Sequence, residues 1–204
     1  MRTFVAVAHT APLDPTFSLD DLPGGAGRLD VLCRYVTAAF LLSHGIREDV
    51  RVVVVIRDEL AIEFRGDELR HLNPDERSTA ALFRKALEVA DDRVVGAYPV
   101  ESTPGIAVSR RDLAAVLDDL EGTVVRLHHA GEAMGVAAVP DRPCFVLSDH
   151  RDLTPTEATL VDGVADRTVS LGPEALHGNH AIAVAHNRCD LAAAESTDSG
   201  SPSA

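Results

Sequence analysis

The chain has 204 residues, a length that favours one large domain or one domain with a tail. It carries 32 acidic residues against 19 basic ones, of which Lys85 is the only lysine, and its formal net charge is −13. This balance excludes a general DNA-coating role, which needs dense Lys and Arg, although it leaves room for a local Arg cluster.

The first part of the chain predicts two buried strands separated by a helix. The apolar, β-branched runs Thr3–His9 and Val50–Ile56 are typical of strands covered on both sides. Between them, apolar residues recur every three or four positions over residues 28–44, which predicts a helix that Gly45 ends. Its predicted buried face comprises Leu29, Leu32, Cys33, Val36 and Phe40.

The middle of the chain predicts a hairpin and two further helices. Residues 59–72 have the pattern of a small hairpin beside the second strand. Asn73-Pro74 opens a helix that runs to about residue 89, because proline is tolerated at the first helical position. A loop with Pro and Gly follows, and Ser109-x-x-Asp112 is a capping box for a helix that ends near Leu120.

The last third predicts three more strands, with a helix opened by Thr154 before the final one. The strands are Thr123–Leu127, Cys144–Leu147 and Thr168–Leu171. Strands that alternate with helices form a mostly parallel sheet flanked by helices on both faces. We therefore predict an α/β fold.

The C-terminal end changes in composition. The last ordered element is predicted from Ala181 to about Ala193, and the residues beyond it are Ser, Asp, Gly and Pro without an apolar face. We expect a single domain over residues 1–192 and a disordered tail over residues 193–204.

Cysteine usage and charge predict the environment of the protein. Cys33, Cys144 and Cys189 form no Cys-x-x-Cys pair, which indicates a reducing compartment. The chain shows no signal-peptide pattern and no run of 18 apolar residues, so we expect a cytoplasmic protein without a membrane partner. The acid excess predicts a halophilic cytosol, where a Debye length of about 3 Å weakens repulsion between exposed acids. An ordinary acidic bacterial enzyme is the alternative.

Three predicted strands end in loops of small or polar residues. Each loop follows a leucine that ends its strand, and the loops cover residues 128–131, 148–150 and 172–180. Because ligands of open α/β sheets bind outside the carboxyl ends of the strands, the three loops predict one pocket. The terminal leucines would form its apolar wall.

Motifs spread along the chain carry a family resemblance. Two lie near the C-terminus, FVLSDHRDLTPTE and VSLGPEALHGNHAIAVAHNRCD, and resemble the SPOUT methyltransferases, whose chain forms a trefoil knot that holds S-adenosylmethionine. Two lie earlier, LDDLPGGAGRLDVLCRYVTAAFLLSHGIR and TPGIAVSRRDLAAVLDDL. Together the four resemble the archaeal tRNA pseudouridine-54 N1-methyltransferases, the TrmY family, over roughly residues 1–192.

The resemblance implies a SPOUT-type fold with a C-terminal trefoil knot, S-adenosylmethionine as methyl donor, and a homodimer that acts on the T-loop of tRNA. We place the dimer interface at the C-terminal helix. The donor is expected to contact mainly backbone groups at Leu127, Leu147, Ser148, Asp149, Leu171, Gly172, Leu176, Ala181 and Ile182. The chain departs from the family pattern twice, because a Gly commonly stands at the position of Ser148 and a Cys often at that of Ala181.

The start of the first predicted helix carries the candidate reactive groups. Methylation of pseudouridine N1 requires loss of the N1 proton and stabilisation of the resulting charge. We assign Asp30 and Arg28 to these catalytic roles, and Arg28 and Arg34 to RNA contact, because a glycine-rich turn and a helix N-terminus favour anions. The alternative is that Asp30 and Arg34 form only a surface ion pair across one helical turn.

Other functions are left open or disfavoured by particular residues. The same chemistry on a ribosomal RNA pseudouridine, a 2′-O transfer, or an RNA-binding module without turnover are alternatives, and Ser148 supports the last of these. The GGAG run lacks the full G-x-G-x-x-G pattern and does not follow a strand, so a dinucleotide site is disfavoured. His180 and His186 fall on different helix faces and no Cys lies at a zinc spacing, so we expect no metal site.

Overall fold

A computed structural model describes residues 1–92, 94–135 and 139–198. The described residues form five helices: α1 (Leu29–Phe40), α2 (Glu76–Asp92), α3 (Leu113–Asp118), α4 (Pro155–Val164) and α5 (Gly178–Asp198). They also form ten strands: β1 (Arg2–Ala8), β2 (Leu41–Leu42), β3 (Gly45–Ile46), β4 (Val50–Ile56), β5 (Leu60–Arg65), β6 (Val100–Thr103), β7 (Ile106–Ser109), β8 (Thr123–Ala133), β9 (Pro143–Ser148) and β10 (Arg167–Ser170).

One mixed sheet organises the molecule, with the strand order β10-β8-β9-β1-β4-β5-β7-β6. The five strands from β10 to β4 run parallel to one another, and β5, β7 and β6 continue the sheet in antiparallel pairs. The central strand β1 pairs on both sides, with Phe4 opposite Val52 and Phe145. The predicted α/β fold with a mostly parallel sheet is therefore confirmed.

Helices cover both faces of this sheet, and the alternation of side chains along β1 shows how. Phe4 and Ala6 face a core that includes the buried sides of α1, α2 and α5. Val5 and Val7 face a second core built with α3 and α4. Strands buried on both faces need apolar side chains at every position, which explains the continuous runs in β1 and β4. The five residues predicted as the buried face of α1 are all 1% exposed or less.

Helix α1 is shorter than predicted, and Gly45 does not end it. The helix stops at Phe40, and Leu41 takes an extended conformation with φ −76° and ψ 130°. Strands β2 and β3 then form a small hairpin, and the Arg47 N–H after it donates a hydrogen bond to the Phe40 carbonyl at 2.8 Å. Tertiary pairing thus ended a helix that periodicity alone would have continued.

The middle of the sheet also differs from the sequence prediction. The segment predicted as a separate hairpin supplies β5, which pairs with β4 and β7, and its second half forms no strand. Strands β6 and β7 form a hairpin where we predicted a loop. Gly105 at its turn has φ +76°, and a side chain there would meet the Leu69 backbone at 2.4 Å. The capping box predicted at Ser109 does not form, because Ser109 ends β7. Asp112 is the N-cap of α3 instead, and its side chain accepts from the Ala115 N–H at 2.8 Å.

The final helix is longer than predicted at both ends. Helix α5 begins at Gly178 and continues to Asp198, so it includes residues 193–198 of the segment expected as a disordered tail, while residues 199–204 of that segment lie outside the described residues. Asp190 anchors the helix through ion pairs to Arg2 and Arg47, each at 2.7 Å. Once anchored, a helix adds one hydrogen bond per residue and extends at little cost.

Two general features complete the description of the fold. Cys33, Cys144 and Cys189 are free and buried. None of the helices within the described ranges combines the length and apolarity that a membrane span requires.

Candidate active site

A cavity of about 400 Å³ lies at the carboxyl edge of the parallel strands, where the ends of β8, β9 and β10 meet the start of α5. This volume falls within the range of about 300–1,000 Å³ that is usual for small-molecule sites. Its lining includes eight of the nine residues predicted to hold the donor: Leu127, Leu147, Ser148, Asp149, Leu171, Gly172, Leu176 and Ala181. The ninth, Ile182, is 1% exposed and packs in the core instead, because α5 begins one turn before Ala181.

An irregular strand pair shapes one wall of the cavity. Strand β10 pairs with β8 at Val125 and Arg126, and then again at Glu132 and Ala133. The residues between these two pairings leave the ladder, and they bring Leu127, His128 and His129 into the lining. A bulge of this kind redirects side chains away from the sheet at its edge.

Two small residues give the cavity its free space and an unsatisfied polar atom. A Cβ placed on Gly172 would meet nothing within 4 Å, so this part of the lining is open. The Ser148 Oγ is buried and has no hydrogen-bond partner within the described residues. A buried hydroxyl without a partner is costly, and a polar ligand group in the cavity would satisfy it.

Tyr35 connects α1 to this wall, a role that was not predicted from the sequence. It is 2% exposed, and its hydroxyl donates to the Ser148 carbonyl at 2.9 Å. Burial raises the pKa of Tyr35, so the hydroxyl stays protonated as a donor. Gly178 must be glycine at this contact, because a Cβ would lie 2.0 Å from the tyrosine oxygen. The available signal was a tyrosine within an apolar helix face, since a buried tyrosine hydroxyl needs a partner.

His9, which directly follows β1, joins two carboxylates beside the cavity. Its ring nitrogens lie 2.9 Å from Asp149 Oδ1 and 3.0 Å from Glu157 Oε2. Asp149 also accepts from the backbone N–H groups of His9 and Arg151, so its carboxylate is held by several donors. Asp149 therefore lines the cavity with a side chain that is already engaged. Asp149 was predicted from the sequence, whereas His9 and Glu157 were not.

Asp30 lies at the centre of an arginine cluster next to the site. Its side chain is 4% exposed and accepts from Arg28 at 3.0 and 3.2 Å and from Arg34 at 2.8 Å. Burial disfavours the charged form, but the two guanidinium groups outweigh it and lower the pKa of Asp30. Arg34 also pairs with Glu76 at 2.7 Å. The alternative ion pair between Asp30 and Arg34 does form, but with a buried rather than a surface carboxylate.

The turn before α1 carries this cluster to the end of β1. Gly27 has φ +54°, and a Cβ there would lie 1.8 Å from the Thr10 carbonyl oxygen. The Thr10 hydroxyl in turn donates to the Gly27 carbonyl at 2.7 Å. Arg28 is the N-cap of α1 in the left-handed region, with φ 65° and no side-chain capping bond. The cluster thus lies beside the cavity, whose lining does not include Arg28, Asp30 or Arg34.

Two histidines lie side by side at this edge. The ring centroids of His128 and His129 are 4.4 Å apart with the rings tilted by 33°, and burial, with the charges of His129 and Arg126, lowers the pKa of His128. Across the described ranges there is no group of three or more His, Cys, Asp or Glu side chains that could hold a metal ion.

The fold has a solved counterpart. The structure of Archaeoglobus fulgidus Nep1 bound to S-adenosylhomocysteine superposes with a TM-score of 0.67 at 14% identity, over 95% of this chain and 99% of that one. At this identity the likeness concerns the fold alone. The mostly parallel sheet with its flanking helices is therefore a fold that a solved structure shares.

Sequence comparison identifies the family to which the chain belongs. The chain belongs to the family described as "Putative SAM-dependent RNA methyltransferase", whose model matches residues 1–194. A tRNA (pseudouridine(54)-N(1))-methyltransferase of Haloarcula marismortui is 56% identical over 96% of this chain and 99% of its own length. The Haloferax volcanii protein of the same name is 54% identical over 94% of this chain and 98% of its own length.

Proposed function

We propose that the protein is an S-adenosylmethionine-dependent tRNA methyltransferase that methylates N1 of pseudouridine 54 in the T-loop. The observation that carries this proposal is the 56% identity, over nearly the full length of both chains, to a relative with that activity in its name. The edge cavity supports it, because it offers a site of suitable volume for a small-molecule donor.

The cavity offers apolar side chains that can pack against a methyl donor and polar groups that can bind its nucleoside. The leucines at positions 127, 147 and 171 would pack against the donor, and backbone groups of the loops after them would bind its polar edges. The Ser148 Oγ would gain a partner, and Gly172 would leave room for the ligand. When bound, S-adenosylmethionine supplies a methyl group that is already activated by its sulfonium charge.

We assign the arginine cluster to RNA contact and orientation of the target base. Arg28 and Arg34 are 42% and 37% exposed at their side chains, which leaves them accessible to phosphate although each is paired. Asp30 is held by three N–H···O bonds and has a lowered pKa, so it is a weak proton acceptor and a strong anchor. Asp30 therefore orients the two guanidinium groups, and Arg28 stabilises charge that develops on the base.

Three further expectations belong to the same proposal. We propose a C-terminal trefoil knot, a homodimer that uses α5, and a cytoplasmic location, each by resemblance to the family. The exposed Leu191 on α5, 43% accessible, is consistent with such an interface. Light scattering in molar salt tests the assembly, and a mass of one chain would refute the dimer.

The activity is tested with two matched tRNA transcripts, one with uridine at position 54 and one isomerised there by a pseudouridine synthase. Uridine N1 is occupied by the glycosidic bond, so we expect methylation of the pseudouridine transcript only, measured by nucleoside mass spectrometry. Equal transfer to the uridine transcript would favour a 2′-O reaction instead. Methylation of ribosomal RNA and not of tRNA would show that the proposed substrate is wrong. Donor binding without turnover on any RNA would indicate an RNA-binding module.

A further inference from the structure

The strongest unassigned feature is the contact between His9 and two carboxylates at the edge of the cavity. The Asp149 and Glu157 side chains are 4% and 15% exposed, and each lies within 3.0 Å of a different ring nitrogen of His9. An ionised carboxylate can only accept hydrogen bonds, so both ring nitrogens must donate. With both carboxylates ionised, the two hydrogen bonds can form together only when His9 is an imidazolium. We call this group of three residues the His9 clamp.

The His9 clamp holds one wall of the cavity at two points. Asp149 is the first residue of the loop after β9, and residues 150–153 of that loop line the cavity. Glu157 lies at the other end of that loop, where it accepts from the Thr154 N–H at 2.7 Å and completes the capping box of α4. His9 thus ties both ends of the loop to β1 without lining the cavity itself.

We propose that His9 is a positioning residue for donor binding, which acts by holding the loop of residues 149–154 in its binding conformation. This inference rests on the proposed function of the cavity. A neutral imidazole has one nitrogen without a proton, so one carboxylate would face a lone pair and the loop would lose a charge-assisted hydrogen bond.

The proposal predicts a pH dependence with a definite sign. Burial opposes the charge of His9, but hydrogen bonds to Asp149 and Glu157 outweigh it and raise the pKa of His9. Two other groups lie near the clamp, one titratable and one charged: His150 Nδ1 lies 3.6 Å from Asp149 Oδ2, and Asp149 contributes to the raised pKa of Arg28. The clamp is complete below the pKa of His9 in the folded protein and opens as the pH rises through it.

The test is an NMR titration of the His9 ring, with and without S-adenosylhomocysteine, combined with calorimetry across the same pH range. This probe lacks the sulfonium charge, so it does not repel the imidazolium. We expect its affinity to fall about tenfold above the pKa of His9 and, by linkage, the pKa of His9 to rise by about one unit in the complex.

Two variants identify the groups responsible. Glu157→Gln removes one carboxylate and places an amide there that can donate or accept, so it should reduce the pH effect to below about threefold. His9→Gln should weaken binding about tenfold at a pH below the pKa of His9 in the wild-type protein, and should remove the pH dependence. If His9→Gln does not fold, the titration of the wild-type protein and the binding measurements on Glu157→Gln test the positioning role of His9.

The outcomes separate the two proposals. If wild-type protein binds S-adenosylhomocysteine with an affinity independent of pH and an unchanged pKa of His9, the positioning role is wrong while the proposed function stands. If wild-type protein does not bind it at any pH, the assignment of the cavity as donor site fails, and the positioning role fails with it.

Discussion

Replacing Gly178 by alanine tests the contact that joins the start of α5 to Tyr35. The new Cβ would lie 2.0 Å from the tyrosine oxygen, 2.1 Å from Cζ and 2.6 Å from Cε1. Carbon and oxygen atoms do not approach so closely, and the ring is buried, so either Tyr35 or the helix start must move. Movement of the ring would also break its hydrogen bond to the Ser148 carbonyl.

The magnitude follows from these two effects. Overpacking a close-packed site costs about 1–3 kcal/mol, and a lost hydrogen bond adds about 1 kcal/mol. We expect Gly178→Ala to lower the free energy of unfolding by about 2–4 kcal/mol. For a chain of this length, about 2–4 °C per kcal/mol gives a fall in Tm of about 4–16 °C. Donor affinity should fall as well, because both residues line the cavity.

Thermal and denaturant unfolding in molar salt measure the effect, with two variants for comparison. Gly163→Ala lies within α4 and meets nothing within 4 Å, so it should be neutral or stabilising by up to about 1 kcal/mol. Tyr35→Phe removes the hydrogen bond alone and should cost about 1 kcal/mol. It should not rescue Gly178→Ala, since the clash with Cζ remains. A Gly178→Ala protein as stable as wild type would refute the reasoning.

Three further predictions concern single side chains. Asp30→Asn should lower the free energy of unfolding by about 1–2 kcal/mol, because its arginine partners are partly exposed, and should reduce turnover more than donor affinity in kinetics and calorimetry. Since the pKa of Asp30 is lowered in the folded protein, its contribution to stability is complete above its pKa in the unfolded chain, about 3.9, and is lost as the pH falls through its pKa in the folded protein. An acid unfolding curve of Asp30→Asn that is unchanged from wild type would contradict this. Gly172→Leu should abolish donor binding in calorimetry with an unchanged circular dichroism spectrum, and retained affinity would overturn the site assignment. Thr154→Ala removes an N-cap and should cost about 1 kcal/mol, and a Tm equal to that of wild type would count against the capping role.

The fold could be predicted where local pattern and tertiary structure agree. The strand Val50–Ile56 has the predicted limits, and α4 begins after Thr154, where the sequence predicts a helix start. The end of α1 and the β6–β7 hairpin could not be predicted, because neither depends on local sequence alone. Leu41 becomes extended by pairing with Ile46, and Ile106 joins the sheet by pairing with Phe64, 42 positions earlier.

The site could be predicted as far as strand ends identify it. The loops after β8, β9 and β10 were recognisable because polar residues follow buried strands, and the structure brings them into one cavity. Tyr35, His9 and Glu157 were not recognisable as parts of it. They reach the cavity wall through contacts between positions more than 100 residues apart, such as Tyr35 with Ser148 and His9 with Asp149. Local sequence patterns do not show which of such distant residues come together in the fold.

Asp30 and Asp149 show why residue type alone assigns chemistry poorly in an acidic protein. Each is a carboxylate at the edge of the sheet, where sequence reasoning expects a base or a ligand contact. Each side chain is 4% exposed and pairs with basic groups, Asp30 with two arginines and Asp149 with a ring nitrogen of His9. Burial opposes the charge of Asp30, but the two guanidinium groups outweigh it and lower its pKa, so Asp30 is a weak base that fixes the direction of its partners. We propose that buried acids orient the basic groups of this site, which leaves those groups and the backbone to contact the ligands.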